Sequence, residues 1–381
     1  MALSTLAHRA LERAGLAAIR DKVLSNERLT DADALRLLES SDLAALGALA
    51  SHVREARHGD LAFYNKNVHL NFTNVCVASC KFCSFARPDD RAASEGYTMT
   101  VEQAVDHVLS KRDQGITEVH IVNGLHPDLP WDFYLEVPRR IRAAWPELQI
   151  KAYTAVEIHF FARLFGMSHA QVLTELRAAG VDTIPGGGAE IFAPRVRRKM
   201  CDDKADAEEW LEVHRVAHRL GMKSNATMLY GTVETLAERV DHMARLRQLQ
   251  DETGGFQVFI PLAFHPEHNM MGKAFPRPTG FDGLRTYAAA RLYLDNFDHV
   301  KAYWVMLGER LAQTALSFGV DDLDGTVLEE RIYHMAGART PQALSEGQLH
   351  RLIRAAGRVP AERDSLYRVL RVHSADTARG R

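Results

Sequence analysis

Cys76, Cys80 and Cys83 share one short stretch, Cys76-Val-Ala-Ser-Cys80-Lys-Phe-Cys83, and carry the strongest chemical signal in the chain. Three thiolates on one loop can hold three corners of a soft metal centre. Structural zinc asks for four closed ligands, commonly two CxxC pairs. A second pair is missing, and the fourth cysteine, Cys201, stands alone in Lys-Met-Cys-Asp-Asp. It could be recruited, but a lone cysteine is more often a small buried hydrophobe. An odd triplet disfavours a disulfide framework, and the clustering fits a reducing compartment. A [4Fe–4S] cubane needs four ligands, so three cysteines would leave one iron open to bind a substrate or cosubstrate and pass it an electron.

Other positions could add polar groups to such a centre. Val122-Asn123-Gly124-Leu125-His126 ends an apolar run, and His126 either faces a ligand or caps the loop before Pro127. Pro185-Gly-Gly-Gly-Ala-Glu190 suggests a phosphate loop, but no Lys-Ser/Thr follows and Ile191 replaces the last glycine of a dinucleotide fingerprint. The glycines are expected instead to let the backbone approach a ligand closely. Glu157 and His159 follow a strand-like run. Asn225 and Thr227 alternate along another and therefore share a face. Barrel interiors are usually apolar, so polar residues there favour a pocket, which singles out Glu157 and Asn225. His265 and His268 flank Pro266, which prevents a helical HExxH-like presentation, and no third ligand is marked. A substrate-facing His265 is the expectation.

These residues need a scaffold. Strand-like runs cover 68–74, 116–123, 149–155, 183–185, 223–230, 256–264 and 300–307, with a weaker eighth near 321–327. Helical patterns fill 101–114, 133–145, 170–179, 205–220, 236–250 and 283–296. Strands alternating with helices of about a dozen residues imply βαβ units and a parallel sheet. Seven or eight units predict an α/β protein with a (β/α)8 TIM-type barrel, its site on the face where the strands end. The first sixty residues read as helices, one starting at Thr30 with Asp33 as its capping-box partner. The expected division is a helical extension over 1–60, a barrel over 61–328 and a helical segment over 329–381. Composition agrees with a globular protein: 381 residues, 46% hydrophobic, 25% charged and a net charge of -2. That balance gives no support to coating nucleic acid or a membrane surface, and no apolar run approaches the roughly 20 residues of a membrane helix. The start of the chain lacks the uninterrupted apolar stretch of a secretory signal, and Arg9, Arg13 and Arg20 on an amphipathic pattern could suit a transit peptide but read better as a surface helix.

The cysteine spacing, with Phe82 just before the last cysteine, resembles the motif of the radical S-adenosylmethionine (SAM) enzymes. The resemblance extends through 71–76, 118–128, 151–158 and 185–191 to the branch that makes futalosine-type menaquinone precursors and the deazaflavin chromophore. The segments 224–231, 259–266 and 301–308 are most similar to its aminofutalosine-forming members. The likeness spans about residues 30 to 368. It implies a [4Fe–4S] cluster on Cys76, Cys80 and Cys83, with SAM as cosubstrate. It further implies addition of the 5′-deoxyadenosyl radical to 3-[(1-carboxyvinyl)oxy]benzoate, giving 6-amino-6-deoxyfutalosine. In the same way, Phe82, Asn123, Gly124 and Glu190 are implied as SAM contacts, and Glu190, Asn225, Glu157, His126 and His265 as residues around the reacting groups. Asn123 stands where the superfamily often has glycine, which a backbone contact tolerates. An electron donor such as flavodoxin or ferredoxin and a cytoplasmic location are implied too. The substrate's two carboxylates call for an arginine, with Arg198 and Arg277 as candidates.

Overall fold

The computed structural model describes residues 3–88 and 95–374. Four helices, Thr5–Arg13, Ala17–Leu24, Asp31–Glu39 and Leu43–His58, open the chain. Thr30 caps the third as its sequence predicts: Asp33 N–H donates to Thr30 Oγ1 (3.2 Å), and Thr30 N–H donates to the Asp33 carboxylate (2.9 Å). The last of the four packs on helix Gly280–Tyr293, outside the sheet.

Strand β1 (Leu61–Asn65) precedes the seven strands that form the barrel wall: β2 (Asn67–Leu70), β3 (Glu118–Ile121), β4 (Gln149–Ala152), β5 (Thr183–Ile184), β6 (Lys223–Tyr230), β7 (Phe256–Ala263) and β8 (His299–Val300). These seven are parallel and lie side by side in chain order. Helices after successive strands cover the outer face, as parallel strands require. The gap between β8 and β2 is filled by the stretch around β9 (Asp322–Gly325). Ala302 N–H donates to Asp322 O (2.8 Å) on one side, and His69 N–H donates to Leu328 O (2.8 Å) on the other. So the weak eighth candidate does stand in the eighth position. Its acidic residues are tolerated inside because each has a cation: Asp321 pairs with Arg291, Asp322 with Arg363 and Asp324 with Lys301.

Three local expectations are corrected. The run 300–307 is not one strand: it stops at Val300, and Trp304–Leu307 is a helical turn, held by Trp304 Nε1–H donating to Gly325 O at 2.8 Å. The run 149–155 ends at Ala152. Tyr153 takes a positive φ of 63°, and a helix over Ala155–Phe165 begins at once with Thr154 as its cap. The segment from 329 is not wholly helical. After helix Glu346–Ala355 come β10 (Val359–Arg363) and β11 (Val369–Val372). β10 pairs in parallel with β1, Leu61 opposite Val359, and β11 lies antiparallel to β10. Pairing so distant in sequence leaves little local trace, because strand preference reflects neighbours more than backbone.

The turn after β10 plugs one mouth of the barrel. Arg363, fully buried, pairs with Asp322, while Gln257 donates to Ser365 O (2.9 Å) and Gln149 to Asp364 Oδ2 (3.1 Å). Gln149 and Gln257 sit at strand starts, so this plug closes the N-terminal face. The opposite face, where the strands end, stays open. Among the described residues no helix is long and apolar enough to cross a membrane.

Candidate active site

A cavity of about 320 Å³ opens among the C-terminal ends of the strands. Cys76, Cys80 and Cys83 line it, and none of them is in a disulfide. Their loop follows β2 and is pinned from several sides. Val77 N–H donates to Leu125 O (3.0 Å), Lys81 N–H to Met200 O (2.9 Å) and Ser79 N–H to Asp203 Oδ2 (2.5 Å). Ala86 N–H donates to Cys83 Sγ at 3.3 Å. Burial pushes the Cys76 and Cys80 thiols above their ordinary range, a penalty that a bound cation reverses by taking the thiolates as ligands. The donor set fits an iron–sulfur cluster: three soft ligands face one open cavity, and the fourth cysteine is not part of its lining. Cys201 is buried, 1% exposed, and does not line the cavity.

Gly124 explains why that loop sits so close to β3. A Cβ there would lie 2.2 Å from Val75 O, one residue before Cys76. Asn123 braces the same turn. Its Oδ1 accepts from Phe72 N–H (2.8 Å), and its own N–H donates to Glu157 Oε1 (3.0 Å). Glu157 is the capping-box residue of helix Ala155–Phe165, and its other oxygen accepts from Thr154 N–H (2.8 Å). Burial raises its carboxyl to about 7 even against these bonds. The folded chain therefore binds a proton more tightly than the unfolded chain, and stability falls as pH rises from about 4.5 to about 7. The Glu157→Gln variant lacks this slope, whatever constant cost the changed cap brings. Denaturation midpoints at several pH values should show the wild type losing up to about 3 kcal/mol relative to the variant across that window, and no further difference above it.

Gly186 also has a packing reason. A Cβ there would come within 2.6 Å of Asn225 O on β6, so the close approach that the glycines were expected to make is in part to a neighbouring strand. Glu190 lines the cavity with a positive φ of 48° and pairs with Lys204, whose Nζ also lies 5.3 Å from the Phe82 ring centroid. Asn225 is 3% exposed and also lines the cavity, and its Oδ1 has no partner. Thr227, on the same face, spends its hydroxyl on Gly186 O (2.5 Å). His265 lines the cavity too: Nε2 meets Met306 O at 2.9 Å, and Nδ1 has no partner.

Other candidates lie elsewhere. His126 is not a wall of the cavity; its Nδ1 accepts from Asp128 N–H at 3.1 Å, the loop-capping alternative. His159 faces His169 and Glu209 on the helical layer. His268 does not line the cavity and holds no shared site with His265. Arg198 is exposed and Arg277 pairs with Glu267, so neither expected arginine reaches the cavity. Among the described residues Lys204 is the one Lys or Arg in the lining. Sequence reasoning missed it, along with Tyr303, Tyr333, Asp324 and the pair His69 and His120. The histidines did leave a signal: each sits between apolar residues in a strand, where alternation puts it on the opposite face.

This architecture, three thiols after the first barrel strand and a cavity over the strand ends, is that of a radical SAM enzyme. Residues 70–246 match the radical SAM superfamily, and the chain belongs to it; residues 253–375 match the CofH/MqnC C-terminal region. The chain is 49% identical over 358 residues to an aminodeoxyfutalosine synthase of Thermus thermophilus, covering 93% of this chain and 95% of that one. It is 47% identical over 364 residues to the aminodeoxyfutalosine synthase of Streptomyces coelicolor, covering 93% of each. The cyclic dehypoxanthine futalosine synthase of the same organism is 37% identical, with 95% and 90% covered. Among solved structures, methylornithine synthase superimposes with a TM-score of 0.72 at 18% identity, covering 90% of this chain and 97% of that one. The hydrogenase maturase HydG of Carboxydothermus hydrogenoformans gives 0.73 at 18%, covering 96% and 85%. These two share the fold.

The protein is thus an enzyme of the radical SAM superfamily, which works with a [4Fe–4S] cluster and SAM, and it acts on a small molecule.

Proposed function

We propose that this enzyme joins the 5′-deoxyadenosyl group of SAM to 3-[(1-carboxyvinyl)oxy]benzoate, yielding 6-amino-6-deoxyfutalosine for menaquinone biosynthesis. The observation that carries this reading is the near-full-length identity of 47–49% to two aminodeoxyfutalosine synthases, against 36–39% for deazaflavin-type and futalosine-cyclising relatives. The cluster, held by Cys76, Cys80 and Cys83, supplies the electron that cleaves SAM to methionine and a 5′-deoxyadenosyl radical. In the reaction proposed, a C–C bond forms at the substrate's alkene CH2, the aryl group migrates from oxygen to the adjacent carbon, and the enolpyruvyl carboxylate leaves as CO2. One electron is released as CO2 leaves, so the electron taken at cleavage is returned and no net reductant is consumed.

The chain's residues hold the reactants in register. The turn of Asn123 and Gly124 offers backbone groups beside the cysteines, with Glu157 fixing its conformation. Phe82, Glu190 and Lys204 form a wall suited to SAM, where the paired charges give both a donor and an acceptor. Asn225 and His265 present unpartnered polar atoms to the ligands. His126 shapes the loop after β3 without touching them. A flavodoxin- or ferredoxin-type donor and a cytoplasmic setting complete the reading.

Anaerobic incubation with SAM, a reductant and the enol ether, followed by mass spectrometry, tests it. The expected product contains the adenosyl carbons, with methionine formed in equal amount. Free 5′-deoxyadenosine as the main nucleoside would instead favour a hydrogen-abstracting sibling activity.

A further inference from the structure

One layer below the strand ends, the barrel interior is polar, and the roles assigned above leave it unused. His69 on β2 and His120 on β3 are register partners. Their rings stack with centroids 4.7 Å apart and planes 6° from parallel, and both line the cavity. Tyr303, which follows β8, lines the same cavity; it is 7% exposed, and its hydroxyl has no partner among the described residues. His69 Nε2 has none either. Buried polar groups are nearly always hydrogen-bonded, so two such atoms lining one cavity need an explanation.

The charges around them are already matched. Asp324 pairs with Lys301 at 3.1 Å, and Lys151 pairs with Glu118 at 2.7 Å. Glu330 accepts from Tyr333 N–H (2.8 Å) and meets His334 Nδ1 at 2.8 Å. What remains unpartnered on the floor are the Tyr303 hydroxyl and His69 Nε2, and the second donates when the ring takes its Nε2–H tautomer. Beside them stands an aromatic wall. Tyr333 meets Tyr303 edge to face at 5.7 Å and His265 at 5.2 Å.

A pair of donors below an aromatic wall suits a carboxylate borne on a benzene ring. We propose that His69 and Tyr303 bind the ring carboxylate of the substrate, with Tyr333 against its aryl face, an assignment that rests on the activity proposed above. The enolpyruvyl carboxylate is attached to the reacting alkene and must stay near the cysteine loop. The ring carboxylate is at the other end of the molecule and falls to the floor. Held there, the ring presents its enol ether upward to the SAM wall.

Calorimetric titration of the cluster-loaded, SAM-bound enzyme without reductant tests this, because binding is then read without turnover. Two ligands are compared: the substrate, and 2-phenoxyacrylate, which lacks only the ring carboxylate. The variants are Tyr303→Phe and His69→Phe, the second keeping a ring on His120. Each should weaken substrate binding by about tenfold or more, the range of a hydrogen bond to a charged group. Binding of 2-phenoxyacrylate and of SAM should stay as in the wild type. Equal weakening of both ligands, or no weakening of either, overturns the carboxylate assignment. A wild-type enzyme that neither binds nor converts the enol ether overturns the activity reading itself, a distinct result.

Discussion

Replacing Cys80 by alanine is expected to abolish the brown colour of the anaerobically prepared enzyme and its cleavage of SAM, and Cys76→Ala and Cys83→Ala should do the same. A cubane with three protein ligands has none to spare, and removing one leaves two. Cys201→Ala is the control. That residue is buried behind the cysteine loop, 1% exposed and outside the cavity lining, so the change should cost about 1 kcal/mol of stability and spare both properties. Iron and sulfide content, the absorption spectrum and methionine release are the measurements. Full activity in Cys80→Ala would remove that thiol from the ligand set, and a colourless Cys201→Ala protein would bring the fourth cysteine into it.

Asn225→Ala should shift the fate of the radical. In the proposed reaction the 5′ carbon must meet the alkene carbon at about 3–3.5 Å, with abstractable C–H bonds held away. Asn225 offers the cavity a carbonyl oxygen that no described residue satisfies. Losing that contact loosens the reactants, and a misplaced radical takes hydrogen from whatever is nearest. The ratio of free 5′-deoxyadenosine to adduct should rise about tenfold, the equivalent of one hydrogen bond. Glu190→Gln should move the ratio the same way, with a larger stability loss because Lys204 is left buried without its carboxylate. Wild-type ratio and rate in both variants would show that neither residue positions the reactants.

Much of this site was legible in the chain itself. Thiol spacing is local: a loop of eight residues brings Cys76 to Cys83 together whatever the rest does. Strand–helix alternation is local too, and it implied the parallel barrel and its open face; period-two alternation along β6 singled out Asn225, while Asn123, Glu190 and His265 took their roles from the family resemblance. The Thr30 and Thr154 caps follow from side chains three residues apart, although the helix that Thr154 starts was hidden by the apolar run leading into it.

What only the tertiary structure decided depends on distant partners. The Asp-rich eighth strand is a poor strand by composition, yet Arg291, Arg363 and Lys301 arrive from three separate elements to neutralise it. β10 exists because β1 is there to pair with it. Lys204 enters the cavity only because the loop carrying it folds against the cysteine loop, where Ser79 meets Asp203, while Arg198 and Arg277, equally plausible by type, are turned away. The histidine pair is decided in the same way: His69 and His120 are far apart in the chain, and only the register of β2 on β3 stacks them. Local spacing determines what one loop or one turn can hold; the identity of the groups that face it across a cavity is set by packing over the whole barrel.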